Sequence, residues 1–182
     1  LAAGSDRVAQ AAGVASGIRI GGAAAGAGNV ISGNNINGLS IASSNNIVQG
    51  NFIGTDASGT TAKPNNRGIT ISSANATQNI IGGMTATSRN IISGNATDGI
   101  VMTGGTSANS VFNNFIGLAP SGSSAVPNTD YGILLDGASG NFIGNSVSTG
   151  NVISGNGESG IIFAGGANSN FIQGNLIGTN SA

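Results

Sequence analysis

Three hexapeptides, Asn29-Val-Ile-Ser-Gly-Asn34, Asn90-Ile-Ile-Ser-Gly-Asn95 and Asn151-Val-Ile-Ser-Gly-Asn156, start 61 residues apart both times. A repeat this regular constrains the fold more than any other feature, because a chain built of like units must bury each unit against the next. Between the hexapeptides a second motif recurs as Asn51-Phe-Ile-Gly-Thr55, Asn114-Phe-Ile-Gly-Leu118 and Asn175-Leu-Ile-Gly-Thr179, so the long repeat has two unlike halves. A third motif, Gly-Ile-x-Ile and its variants, begins at Gly17, Gly38, Gly68, Gly99, Gly132 and Gly160, which gives about six coils of about 30 residues. Each coil consists of short runs of Ile, Val and Phe separated by Gly, Asn, Ser and Thr, the pattern of strands and turns. No stretch carries a 3.6-residue apolar stripe.

Short strands on such a period cannot bury a face alone, and stacking the coils is the physical solution, a parallel solenoid. Alternate strand residues then point inward, so Ile69, Ile71, Ile133 and Ile161 are expected in a core column, with Thr70 facing outward. The asparagines flanking the apolar dipeptides, Asn29, Asn90 and Asn151 and then Asn34, Asn95 and Asn156, recur at equivalent points of the repeat. Stacking at a spacing of about 4.8 Å lets their amides bond from coil to coil as ladders. The whole chain, 1–182, reads as one domain, with 1–16 a degenerate half-coil and 17–179 the repeats. The distance from Ile20 to Asn29 is ten residues shorter than that from Ile71 to Asn90, which marks the first coil as irregular or lacking a corner loop.

The succession of Gly-Ile-x-Ile and Asn-x-Ile-x-Gly-Asn-x-Ile-Gly-Thr resembles the repeats of the pectin-lyase-like superfamily, above all the tandem arrays of large bacterial surface and secreted proteins. The resemblance runs from Gly17 to Thr179. It implies an all-β, right-handed parallel β-helix. It implies no single activity, since the superfamily includes polysaccharide lyases and hydrolases as well as adhesins, tail spikes and spacers.

Composition narrows the function. The chain of 182 residues has no His and no Cys, which removes Ser-His-Asp and Cys-His catalysis, imidazole or thiolate metal sites and disulfides. Five Lys and Arg against six Asp and Glu give too little positive charge for a nucleic-acid backbone or an anionic membrane. No apolar run approaches the roughly 18 residues of a spanning helix.

Enzymes of the resembled superfamily imply clustered carboxylates, often with Ca²⁺. Asp98, Asp130 and Glu158 each precede a Gly-Ile-x-Ile strand by one or two residues, so stacking is expected to bring them to one turn of three successive coils. There they form either a carboxylate pair for acid/base work, an oxygen-rich Ca²⁺ site, or ordinary turn residues. Arg67 falls beside Asp98 on the adjacent coil, an expected ion pair. Phe52, Phe115 and Phe171 are assigned to core stacking. Val101, Leu134 and Ile162, between the paired inward residues, are expected to form an exposed apolar strip suited to lateral association.

The last repeat stops at Asn175-Leu-Ile-Gly-Thr-Asn-Ser-Ala182, and the segment from Leu1 to Ile20 has nearly the length of Phe52 to Ile71. Two expectations follow: Leu1 and Ala182 form a head-to-tail polymer joint, or the chain is cut from a longer array. The functional expectation is an extracellular, bacterial structural solenoid without a cofactor, a filament subunit or adhesin stalk that self-associates end to end. The alternative is a polysaccharide lyase or hydrolase acting through Asp98, Asp130 and Glu158, or a non-catalytic carbohydrate-binding module.

Overall fold

Runs of Ile, Val and Phe bounded by Gly and Asn form short strands, three to a coil. The structure is a computed structural model that describes residues 7–11, 15–145 and 149–180. The first coil carries β1 (Arg7–Ala11), β2 (Arg19–Gly21) and β3 (Val30–Ile31). The second carries β4 (Asn37–Ile41), β5 (Ile47–Gln49) and β6 (Phe52–Ile53), and the third β7 (Arg67–Ser72), β8 (Ile80–Gly82) and β9 (Ile91–Ile92). The fourth carries β10 (Ile100–Thr103), β11 (Ser110–Phe112) and β12 (Phe115–Ile116), and the fifth β13 (Ile133–Asp136), β14 (Phe142–Gly144) and β15 (Val152–Ile153). The sixth carries β16 (Ile161–Ala164), β17 (Phe171–Gln173) and β18 (Leu176–Ile177).

Equivalent strands pair in parallel and build three six-stranded sheets: A, β1-β4-β7-β10-β13-β16; B, β2-β5-β8-β11-β14-β17; and C, β3-β6-β9-β12-β15-β18. Six rungs make about five full turns of a parallel β-solenoid. The described residues contain one 3₁₀ turn, Ala86–Ser88, and no α-helix.

The core is the stack of inward residues. Sheet A sends in Leu39, Ile69, Ile100 and Ile133, and two positions on Ile41, Ile71, Met102 and Leu135. Sheet B contributes Val48, Ile81, Val111 and Ile143, and sheet C contributes Ile31, Ile53, Ile92, Ile116 and Ile153. Each stands on its register partner, so apolar surface on one coil is covered by the same residue type on the next. Burying one such side chain is worth roughly 1.5–3 kcal/mol.

Two features of the repeat differ from the sequence expectation. Gly17-Ile-Arg-Ile20 is not a sheet A strand: Ile20 pairs with Val48 in sheet B, and it is β1 that pairs with β4, Ala9 opposite Leu39. The first coil is therefore not short. Ile20 is equivalent to Ile81, and each lies nine positions before its ladder asparagine, Asn29 and Asn90. The two unlike halves are successive coils of one sheet, since Val30 pairs with Phe52 and Phe52 with Ile91.

What alternates is the corner that carries a loop. The first and third coils lengthen the passage from sheet B to sheet C (22–28 and 83–89), whereas the second and fourth lengthen the passage from sheet C to the next sheet A (56–64 and 119–127). The 61-residue period is this alternation. Its result is a wall on each side of the outer face of sheet C.

The outward rows also correct the expectation. Phe52 and the buried Phe115 do stack in an apolar row with Ile91 and Val152, but on the outer face of sheet C, whereas Phe171, 50% exposed, stacks in parallel on Phe142 outside sheet B with ring centroids 5.1 Å apart. In a strand whose neighbour Ile53, Ile116 or Ile172 points inward, the pleat sends the phenylalanine out. Val101 is only 2% exposed and does not form an open strip. Thr70 and Leu134 flank it in register at the strand spacing and cover it, leaving Leu134 and Ile162 half-buried.

Candidate functional site

The corners of the solenoid are held by asparagine. After sheet C, Asn34, Asn65, Asn95, Asn128 and Asn156 form one ladder: Asn34 Nδ2 donates to Asn65 Oδ1 at 2.7 Å, Asn65 to Asn95 at 3.0 Å, Asn95 to Asn128 at 2.8 Å, and Asn128 to Asn156 at 2.8 Å. Before sheet C, Asn29, Asn51, Asn90, Asn114, Asn151 and Asn175 repeat the pattern. The six asparagines read from the sequence fall on these two ladders.

A third ladder, before sheet B, escaped the sequence reading: Asn46, Asn79, Asn109, Asn141 and Asn170. Its signal was present as Asn followed by an outward-inward dipeptide in the second to sixth coils, the first coil having Ile18 in that place. Each middle member is fully satisfied. Asn79 Nδ2 donates to Asn109 Oδ1 at 2.8 Å and to the Ser43 carbonyl at 3.0 Å, and its Oδ1 accepts from both the N–H and the Nδ2 of Asn46. A buried amide with all its partners stabilises the stack, whereas one missing partner leaves a buried donor or acceptor at a cost of about 1–3 kcal/mol.

The acidic candidates gather at the corner that opens sheet A, but not in one column. Counting back from the paired Ile69, Ile100, Ile133 and Ile161, Asp98 is in register with Arg67 and Tyr131, while Asp130 is in register with Thr97 and Glu158. Arg67 Nε lies 3.5 Å from Asp98 Oδ2, the expected ion pair, with the guanidinium half-exposed and the carboxylate buried. The other oxygen, Asp98 Oδ1, is buried and makes no hydrogen bond of good geometry.

Burial pushes the Asp98 carboxyl above the usual carboxylate range and Asp130 adds to this, against the opposing pull of the Tyr131 N–H, Arg67 and Thr97. The Tyr131 phenol is raised first by its hydrogen bond to Glu158 and then by the surrounding carboxylates. The corner thus retains a proton more readily than free Asp does. Among the described residues no group of three or more Asp or Glu side chains is placed to hold a metal ion. The proposed joint residues Leu1 and Ala182 lie outside the described residues.

An apolar-floored concavity lies elsewhere, on the outer face of sheet C between the two loop walls. Its floor is the row Phe52, Ile91, Phe115 and Val152, a small apolar cluster separate from the core. Two cavities of about 370 and 510 Å³ share Arg89 and Pro120. The guanidinium of Arg89 lies 3.9 Å from the centre of the Phe115 ring, and its Nη2 donates to Asn113 Oδ1 at 2.8 Å. Asn113 is fixed in turn by donating to the Gly83 and Thr85 carbonyls. No feature of the sequence singled out Arg89, because its setting is made by three coils together.

Comparison of the chain with protein-family models, curated proteins and solved structures gives no match.

Proposed function

We propose that this chain is a structural element of the cell exterior, a right-handed β-helix of the pectin-lyase-like type that works through its length and stiffness. It serves as a subunit of a head-to-tail filament or as an adhesin stalk, in keeping with the repeats of bacterial surface proteins that its motifs resemble. The observation that carries this reading is the continuity of the three asparagine ladders. From the second coil onward each coil offers the next the same amides and like inward apolar residues, so the stack is its own template.

Low charge supports the reading, since 6% charged residues leave little repulsion between stacked or neighbouring rods. The carbohydrate-active alternative is less well supported. Asp98 is buried, and its column offers Arg67 and Tyr131 rather than a second acid at the same height.

Electron microscopy of the purified 182-residue chain over a concentration series tests the proposal. The filament form gives fibres whose axial rise is a whole number of coil spacings of about 4.8 Å, and the stalk form gives straight monomeric rods. Cleavage of an acidic polysaccharide that Asp98→Asn and Glu158→Gln abolish would overturn the structural reading in favour of an enzyme.

A further inference from the structure

Among the described residues the one ion pair is Arg67 with Asp98, so the half-buried Arg89 has no carboxylate beside it. Burial lowers its pKa, no negative charge offsets that cost, and its Nε–H is buried without a partner. A guanidinium in this state favours an anion.

The space around it is equally specific. Arg89 immediately precedes the ladder residue Asn90, and the equivalent positions two coils below and two coils above are Gly28 and Gly150, before Asn29 and Asn151. Glycine is required at both, because a Cβ at Gly28 would overlap the Gly50 carbonyl oxygen and one at Gly150 the Gly174 carbonyl oxygen. With no side chain at either place, a cavity opens on each side of Arg89, the two of about 370 and 510 Å³. That is the size of a small-molecule site, about 300–1,000 Å³. The walls next to the cation are Phe52, Ile91 and Pro120 on one side, and Phe115, Val152 and Leu176 on the other.

We infer that the outer face of sheet C is a binding site for a small organic acid, whose carboxylate meets the Arg89 guanidinium and whose apolar body lies on the Phe115 and Val152 side or the Phe52 and Ile91 side. The chemistry argues for a monoanion. A phosphate or sulfate dianion is ordinarily held by several converging donors, whereas this site has a single cation over an apolar floor. Asn113 orients the guanidinium and is a positioning residue. The inference is independent of the filament or stalk reading, since the site lies on the side of the solenoid.

The test is titration of the full chain with phenylacetate, followed by NMR on the Arg89 side chain and the backbone amides of 86–91 and 113–121. Phenylacetamide, of the same shape without the charge, is the comparison ligand. The site predicts a saturable shift at those residues at millimolar phenylacetate and at least about ten-fold weaker binding of the amide, the worth of one charge-assisted bond. Arg89→Gln, which keeps a donor for Asn113, should lose the preference for the acid. Equal affinity for acid and amide, no saturable shift at millimolar concentrations, or an acid preference that persists in Arg89→Gln would each overturn the inference. If the variant does not fold, the acid-against-amide comparison on the native chain decides.

Discussion

The interior of the solenoid and the outer face of sheet C obey opposite rules. Inside, one position holds one residue type from coil to coil: Ile53, Ile92, Ile116 and Ile153 stack as a column, and Asn46, Asn79, Asn109 and Asn141 as a ladder. Outside, the position before the ladder asparagine holds Gly28, Gly50, Arg89, Asn113, Gly150 and Gly174 in turn, and the two departures from glycine, Arg89 and the Asn113 that holds it, create a charged feature between two cavities. Repetition builds the rod, and departure from repetition marks what the rod can bind. The acidic corner follows the same rule, since Asn37, Arg67, Asp98 and Tyr131 succeed one another where the core would have repeated a residue.

The contrast is broken most severely by Asn79→Asp. The carboxylate loses both Nδ2 donations and faces the Asn109 Oδ1 and the Ser43 carbonyl, leaving an unpaired buried charge worth about 3–5 kcal/mol. Chemical denaturation should show either that loss or an unfolded chain, and near-native stability would mean that the ladders are incidental. Ile116→Ala, in the fourth coil of the sheet C column, should cost about 2–5 kcal/mol in the same measurement. An effect no larger than that of an exposed substitution would deny the column its role.

Phe171→Ala tests the outside instead. It removes a stacked but half-exposed ring, so the cost should be only about 0.5–1.5 kcal/mol in excess of its modest burial. A loss as large as that of Ile116→Ala would erase the distinction between the two surfaces.

Asp98→Asn should act in the opposite direction. Because burial raises the folded-state pKa of Asp98, the native state binds its proton more tightly than the unfolded chain does. Its contribution to stability is fully present below the ordinary pKa of 3.8 and is lost as pH rises through the higher folded value. The native protein should therefore gain stability from this group on mild acidification, and Asp98→Asn should melt higher than the native protein at pH 7. The advantage should shrink toward acid pH. A variant that melts lower at every pH would show that the Arg67 pair outweighs burial.

The sequence was most informative where residues repeat. The period of 61, the parallel stacking, the inward Ile69, Ile71 and Ile133, and two of the three asparagine ladders could all be read from it, because equivalent positions demand equivalent chemistry. It misled at Gly17-Ile-Arg-Ile20, where an apolar-x-apolar strand after glycine suits sheet A and sheet B equally. The nine positions to the next ladder asparagine would have distinguished them. Phe52 and Phe115 stack in a buried apolar row as expected but on the outer face, and Phe171 is exposed, because hydrophobicity alone does not say which face of a pleat a residue occupies, whereas the alternation with Ile53, Ile116 and Ile172 does.

Arg89 was not legible for a different reason. Its significance lies in the absence of side chains at Gly28 and Gly150, about sixty residues away on either side. Asp98 was legible as part of an acidic corner, but the offset of one residue that pairs it with Arg67 and separates it from Asp130 depends on strand register.

The most direct test of the account is native-state hydrogen exchange of the asparagine side-chain amides, followed by NMR. The ladders are claimed to hold the coils as one cooperative stack. The Nδ2 hydrogens of Asn79, Asn90, Asn109 and Asn114 should therefore exchange as slowly as the backbone amides of Ile81 and Ile116, through global unfolding. Those of the exposed Asn35 and Asn75 should exchange at the rate of a free amide. Rapid exchange at all asparagines alike, with the backbone still protected, would contradict the account.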